Sequence, residues 1–236
     1  MTDASADRSL RLAGLPDDWP HWTEVEPLAH VAAEHLGLAR YFDQVTLVVD
    51  DIAADDHPWI EFPGSRAVEL YCHPNQFMSV PSISVTTLPA TFPWELKGVR
   101  VDESDDGEFS RSGTSRFLHH QGLALVDLAS GLVRPAEVPP LLAEGYQEIW
   151  GVSLDGRLRG RSMPGHPVAD RRRRFFRTFS TGGLLLPQHW EIFHAAWDDP
   201  QPDHGILLQW AMDLPRKIGT AEAQLGAKSK IDLRSE

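Results

Sequence analysis

The chain has 236 residues, 42% of them apolar, and 22 basic against 34 acidic side chains give a formal net charge of −12. That is enough for one substantial core or two small ones, and the acidic balance argues against nucleic acid or an anionic membrane as a partner. The single cysteine, Cys72, excludes an internal disulfide framework, fits a reducing compartment and reads as a packed core thiol within the run AVELYCHP.

The start, MTDASADRSL, has neither the basic end nor the apolar centre of a secretion signal. With no apolar run of membrane-spanning length, the expectation is a cytoplasmic protein. Residues 1–22 read as irregular. Residues 23–214 read as a single α+β domain, and 215–236 as a polar tail.

Thr23 to Glu26 has capping-box spacing, and Leu28, Val31, Ala32, His35, Leu36 and Ala39 recur at helical intervals. A helix over about 24–40 follows, with Pro27 tolerated in its first turn and His30 and His35 at its surface. Strands are expected over Gln44–Ile52, Ala67–Cys72 and Pro81–Leu88. Residues 89–114 carry the acidic DESDDGE and read as an exposed loop.

Next comes Ser115 to Gly131, SRFLHHQGLALVDLASG. Its apolar residues point almost all round a helix, which is the pattern of a buried one. Thr114 or Ser115 can cap its start and Gly131 suits its end. His119, His120 and Asp127 interrupt it. His120 and Asp127 are two turns apart and share a face. Polar groups in a buried helix need partners, a metal or water.

After Gly131 the pattern is helical. A helix opens at Pro139-Pro140 and continues towards Asp155. Residues 157–167 read as a loop, and Val168–Phe179 and Pro187–Asp198 as amphipathic helices. A last helix opens at Pro202-Asp203. Arg171 to Arg174 with Arg177 reads either as a solvated helix face or as a docking patch for an acidic partner. Trp190, Trp197 and Trp210 read as core packing, not as a ligand cage. Strands first and helices after indicate an α+β fold: a small mixed sheet, a buried helix, then a mainly helical half. There is no Gly-rich phosphate loop, no G-x-S-x-G elbow, and SRSGTS lacks a phosphate loop's lysine.

Phe117-Leu118-His119-His120-Gln121 through Asp127 resembles the F-L-H-H-E-x-x-H-x-x-D helix of small bacterial zincin-like metallopeptidases. Trp150 to Leu158, with Asp155 inside it, resembles the helix that follows in such proteins. The resemblance covers about residues 40–160 and implies a zincin-like α+β fold. In that family two histidines at i and i+4 hold zinc, and the intervening glutamate activates the bound water.

Residue by residue, His120 takes the first ligand position, Gln121 stands where the catalytic glutamate would be, and Ala124 where the second histidine would be. An amide cannot take a proton from zinc-bound water, and alanine ligates nothing. The resemblance therefore implies a pseudoenzyme with a degenerate HExxH. It has no catalytic residue and no expected cofactor, and it binds or regulates an unidentified protein or peptide. An alternative is a metal-dependent hydrolase with zinc or another divalent metal on His120, Asp127 and Asp155, helped by His73, His119 or His57. The ordinary account is a polar cluster: His120 bonded to Asp155 or a backbone carbonyl, and Asp127 paired with Arg157 or Arg161. A third reading is an unrelated α+β structural or interaction protein.

Overall fold

The computed structural model describes residues 10–16, 18–50, 58–79, 84–87, 99–102, 108–180 and 183–214. The expected tail at 215–236, His57, the first nine residues and much of the acidic loop lie outside them. The fold is α+β, and the chain divides into two compact units, Met1–Leu118 and His119–Glu236.

The first unit holds a four-stranded mixed sheet in the order β1-β2-β4-β3. Central strands β2 (Gln44–Val49) and β4 (Ala67–Cys72) pair in parallel. On β4, buried Val68, Leu70 and Cys72 alternate with half-buried neighbours, the period of two that places one face on a core. Burial pushes the Cys72 thiol up to about 12, as fits a core thiol, and it donates weakly to the Val48 carbonyl.

Edge strand β3 (Trp59–Gly64) pairs antiparallel with β4 and tolerates Pro63 beside a register irregularity, where no ladder donor is needed. The other edge is β1 (Arg11–Leu15), parallel to β2. It lies where an irregular segment was expected. The segment RLAGL has no β-branched residue, so only its neighbour reveals it. With helix α1 (Trp22–Leu36), β1 and β2 make one βαβ crossover inside an otherwise segregated fold.

Helix α1 buries Val25, Leu28, Ala29, Ala32 and Ala33. It begins one residue before Thr23 and has no side-chain cap, so the capping box does not form. It ends at Gly37 with φ +65°, earlier than expected, and a 3₁₀ turn over Leu38–Arg40 continues the chain. A two-stranded ladder joins β5 (Ser84–Thr87) to β6 (Val99–Asp102), so part of the expected loop is strand.

Helix α2 (Arg111–Ala129) starts four residues before the expected Ser115. The cap is Ser110, whose Oγ accepts from the Gly113 N–H at 3.1 Å; Thr114 is buried and its hydroxyl bonds the Phe77 carbonyl at 3.4 Å instead. Phe117 and Leu118, the last residues of the first unit, pack into its apolar core with Leu47, Leu70 and Phe77.

The second unit is helical: the rest of α2, then α3 (Ala143–Gly160), α4 (Val168–Phe179), α5 (Pro187–Asp198) and α6 (His204–Asp213). Helix α3 contacts α4, α5 and α6. It is buried from Gly151 through Leu158, so Arg157 is helical and interior and the expected loop shrinks to 161–167. A Cβ on Gly156 would lie 2.0 Å from the Trp197 carbonyl oxygen, so only glycine permits this approach to α5. Tyr146, Phe175, Phe193 and Leu207 fill the core, with Trp190, Trp197 and Trp210 packed against it. The Asp203 carboxylate caps α6 by accepting from the Ile206 N–H at 2.9 Å.

Candidate functional site

Polar groups concentrate inside the second unit. Asp127, Asp155, Arg157, Arg171, His119 and His120 are all buried. Two clusters account for most of them.

The first is built on Asp127. Two turns of α3 separate Trp150 from Arg157, so both side chains share the face that meets it. Arg157 Nη1 donates to Oδ1 at 2.9 Å, Nη2 donates to Oδ2, and the Trp150 indole N–H donates to Oδ2 at 2.8 Å. This is a bidentate pair with a third donor, and it uses both carboxylate oxygens. Asp127 is therefore paired with Arg157, one of the two arginines anticipated for it, and does not come together with His120.

The second cluster is built on Asp155, which is 0% exposed. Its Oδ1 accepts from the His166 backbone N–H at 2.9 Å and meets His120 Nδ1 at 3.1 Å. Its Oδ2 accepts from Arg171 Nε. Arg171 Nη2 lies 3.1 Å from both ring nitrogens of His120. The network assigns the tautomer: His120 Nδ1–H donates to Asp155, which leaves the Nε2 lone pair facing the guanidinium. The His166 ring stands edge-on to His120, with centroids 5.3 Å apart. Ligand-type atoms of His120, Asp155 and His166 all lie within 4.8 Å of one another.

The electrostatics follow from burial and the nearby arginines. Burial, with the nearby arginines, lowers the His120 pKa against the pull of Asp155. Burial, with His120 and the arginines, takes His166 down to about 3. Both rings are neutral at pH 7. Burial raises Asp155, but His120 and Arg171 outweigh it and hold the carboxyl well below its usual range. The cluster is thus one carboxylate and one guanidinium, with neutral imidazoles beside them.

Of the residues singled out from sequence, His120 and Asp155 come together. Asp127 goes elsewhere. His119 is fully buried one position earlier on α2 and so turns about 100° away from His120. Gln121 is half-buried and Ala124 buried. His73 belongs to the first unit, where its Nδ1 accepts from the Asn75 N–H at 3.2 Å.

Two members were missed. His166 falls in the Gly165-His166-Pro167 loop, with no periodicity to mark it. Arg171 was assigned with its neighbours to a solvated or docking face, yet it is 4% exposed while Arg172 and Arg173 face solvent. The available signal was position. Arg171, Phe175 and Phe179 fall at successive four-residue steps, so this arginine begins the buried stripe. Gly151 makes room for it, since a Cβ there would stand 3.0 Å from Arg171 Nη1.

The residues do not fit a zinc ion in the manner the resemblance implies. Ala124 offers no second imidazole, and the His120 lone pair and Asp155 Oδ2 are both turned to Arg171. The chain matches no protein-family model, no curated protein and no solved structure. Among the described residues, no helix is long and apolar enough to cross a membrane.

Proposed function

We propose that this chain is a non-catalytic binding or regulatory module of zincin-like descent, with a fixed guanidinium where a peptidase would hold its metal. One observation carries the reading: Arg171 faces both the imidazole of His120 and the carboxylate of Asp155. A cation is needed to stabilise a buried carboxylate, and here the protein supplies its own. Gln121 and Ala124 point the same way, because they remove the proton acceptor and the second ligand from the same stretch. The partner in this reading is a protein or peptide.

The hydrolase alternative loses its support at Asp127, whose oxygens are taken by Arg157 and Trp150. The deciding experiment is metal analysis of protein made in zinc-supplemented medium, paired with a mixed-peptide cleavage assay. The expected result is substoichiometric metal and no turnover above a buffer control. Stoichiometric metal with chelator-sensitive cleavage would overturn the reading.

A further inference from the structure

We propose that the open edge of β3 in the first unit is a docking strand for an extended peptide that carries arginine two residues from an apolar side chain. The inference rests on the reading of this chain as a binding module, and it adds the surface used and the chemistry of the partner. It involves none of the buried groups around His120.

Strand register sets the pattern on the outward face of the sheet. Val68, Leu70 and Cys72 of β4 point into the core, so Glu69 and Tyr71 point the other way. Tyr71 pairs with Val48 of β2 and with Trp59 of β3, and Val48 pairs with Leu15 of β1. An apolar row therefore crosses the sheet and ends at Trp59. Two residues along, Glu69 pairs with Thr46 and with Glu61, so the adjacent row ends in two carboxylates. Strand β3 is the last of the sheet, and its outer edge has no ladder partner among the described residues. A strand added there continues both rows, with an apolar residue beside Trp59 and a basic one beside Glu61.

Charge selects the partner. Like charges directly opposite on a sheet repel, and neither Glu61 nor Glu69 has an ion-pair partner among the described residues. Each has one neutral donor: the Trp59 indole N–H donates to Glu61 Oε1 at 3.2 Å, and the Tyr71 hydroxyl donates to Glu69 Oε2 at 2.8 Å. Led by that hydrogen bond to Glu69, and helped by the charges of Glu61 and Glu69, the Tyr71 pKa is raised, the response to a negative field. Tyr71 stacks on one face of the Trp59 indole, with centroids 4.7 Å apart and planes 8° from parallel, and Trp59 is still 38% exposed. Arginine suits this corner better than lysine, because a planar guanidinium stacks on an indole while its fork bonds a carboxylate. The same charges oppose a second copy of this chain, whose own β3 would bring Glu61 against these carboxylates in a molecule of net charge −12. Pro63 has no N–H to donate, so the pairing run is short and lies at Trp59–Glu61.

The test uses the full-length chain and fluorescein-labelled Thr-Val-Thr-Arg-Thr-Val-Thr-Arg-Thr, which presents Val and Arg on one face in either strand direction. Fluorescence anisotropy should show binding. It should be lost when Glu replaces both Arg, or when Pro-Pro replaces the central Thr-Val and removes an N–H from either edge. Glu61→Gln/Glu69→Gln should weaken binding by about 5-fold or more, and Trp59→Ala by about 5-fold. Equal affinity for the Arg and Glu peptides, undiminished binding by Glu61→Gln/Glu69→Gln, undiminished binding of the Pro-Pro peptide, or no binding at all overturns the proposal. Stability gives a second readout. Glu61→Gln/Glu69→Gln removes an uncompensated repulsion, so its urea midpoint should equal or exceed that of the wild type; a lower midpoint overturns the proposal, because the carboxylates would then be satisfied within the chain. Mass spectrometry of the peptide separates this proposal from the reading beneath it. Cleavage would overturn the non-catalytic reading and leave the docking strand in place, whereas an intact peptide that does not bind overturns the docking strand alone.

Discussion

The interiors of the two units are stabilised by different physics. In the first, β2, β4, α1 and the start of α2 bury Leu47, Val68, Leu70, Phe77 and Phe117, an apolar core that any hydrophobic side chain of suitable volume would serve. In the second, an equally apolar core shares its interior with two buried arginines, each closed on its own carboxylate. An apolar contact degrades gradually when trimmed. A buried ion pair fails abruptly when one partner goes, because the survivor keeps its desolvation cost and loses its compensation.

Removing Asp155 is the hardest test of that contrast and carries the largest expected effect. Asp155→Ala leaves the Arg171 guanidinium buried without its carboxylate and should cost about 4 kcal/mol. Urea unfolding followed by tryptophan fluorescence measures it. The triple change His120→Leu/Asp155→Leu/Arg171→Met removes the whole network and should recover most of that loss, since an apolar set of similar volume avoids desolvating charge. If the triple variant is as unstable as Asp155→Ala, the network is not behaving as a coupled charge cluster.

The matching cut in the first unit is smaller. Leu70 is 2% exposed on a central strand, and Leu70→Ala should cost about 3 kcal/mol from lost burial and a residual cavity. That cost should hardly vary between pH 5 and pH 8 in roughly constant salt, because no titrating group is involved. A strong pH dependence of the difference would show that the apolar core is coupled to charge after all.

The same contrast explains how much could be read from sequence. Ala67–Cys72, Val168–Phe179 and Pro187–Asp198 carry their own periodicity, and the structure has those boundaries. The strand at Arg11–Leu15 carries none and exists only through its pairing with β2. In the site, His120 was conspicuous as a polar residue in an apolar helix, and Asp155 came in through the resemblance of Trp150 to Leu158 to the helix that follows in zincin-like proteins. His166 and Arg171 were not conspicuous, because one sits in a loop and the other in a run of four arginines whose charge hides its position on the buried stripe. Local pattern shows which residues are anomalous. It does not show which distant side chain answers each anomaly.

The finest test concerns a third carboxylate in the helical unit. Glu148 lies two turns before Asp155 on α3, so the two share a face, but their surroundings have opposite effects. One carboxylate oxygen of Glu148, Oε1, is buried without a hydrogen-bond partner among the described residues. Burial raises its pKa from 4.5 to about 6, and the repulsion of Asp155 adds to this, against the attraction of Arg171, Arg174 and Arg177. The folded chain thus holds this proton more tightly than the unfolded chain does. Its contribution to stability is greatest below pH 4.5, falls as pH rises towards 6, and remains a deficit above that. Glu148→Gln removes the charge, so it should stabilise the protein by about 2 kcal/mol at pH 7 and by almost nothing below about pH 4.5. His166, with its pKa lowered, drives stability the other way over the same range, so the readout is the difference between variant and wild type at each pH. A difference that stays flat from acid to neutral pH would mean that the arginines already compensate the Glu148 charge. Glu148 would then be compensated by arginine as Asp127 and Asp155 are.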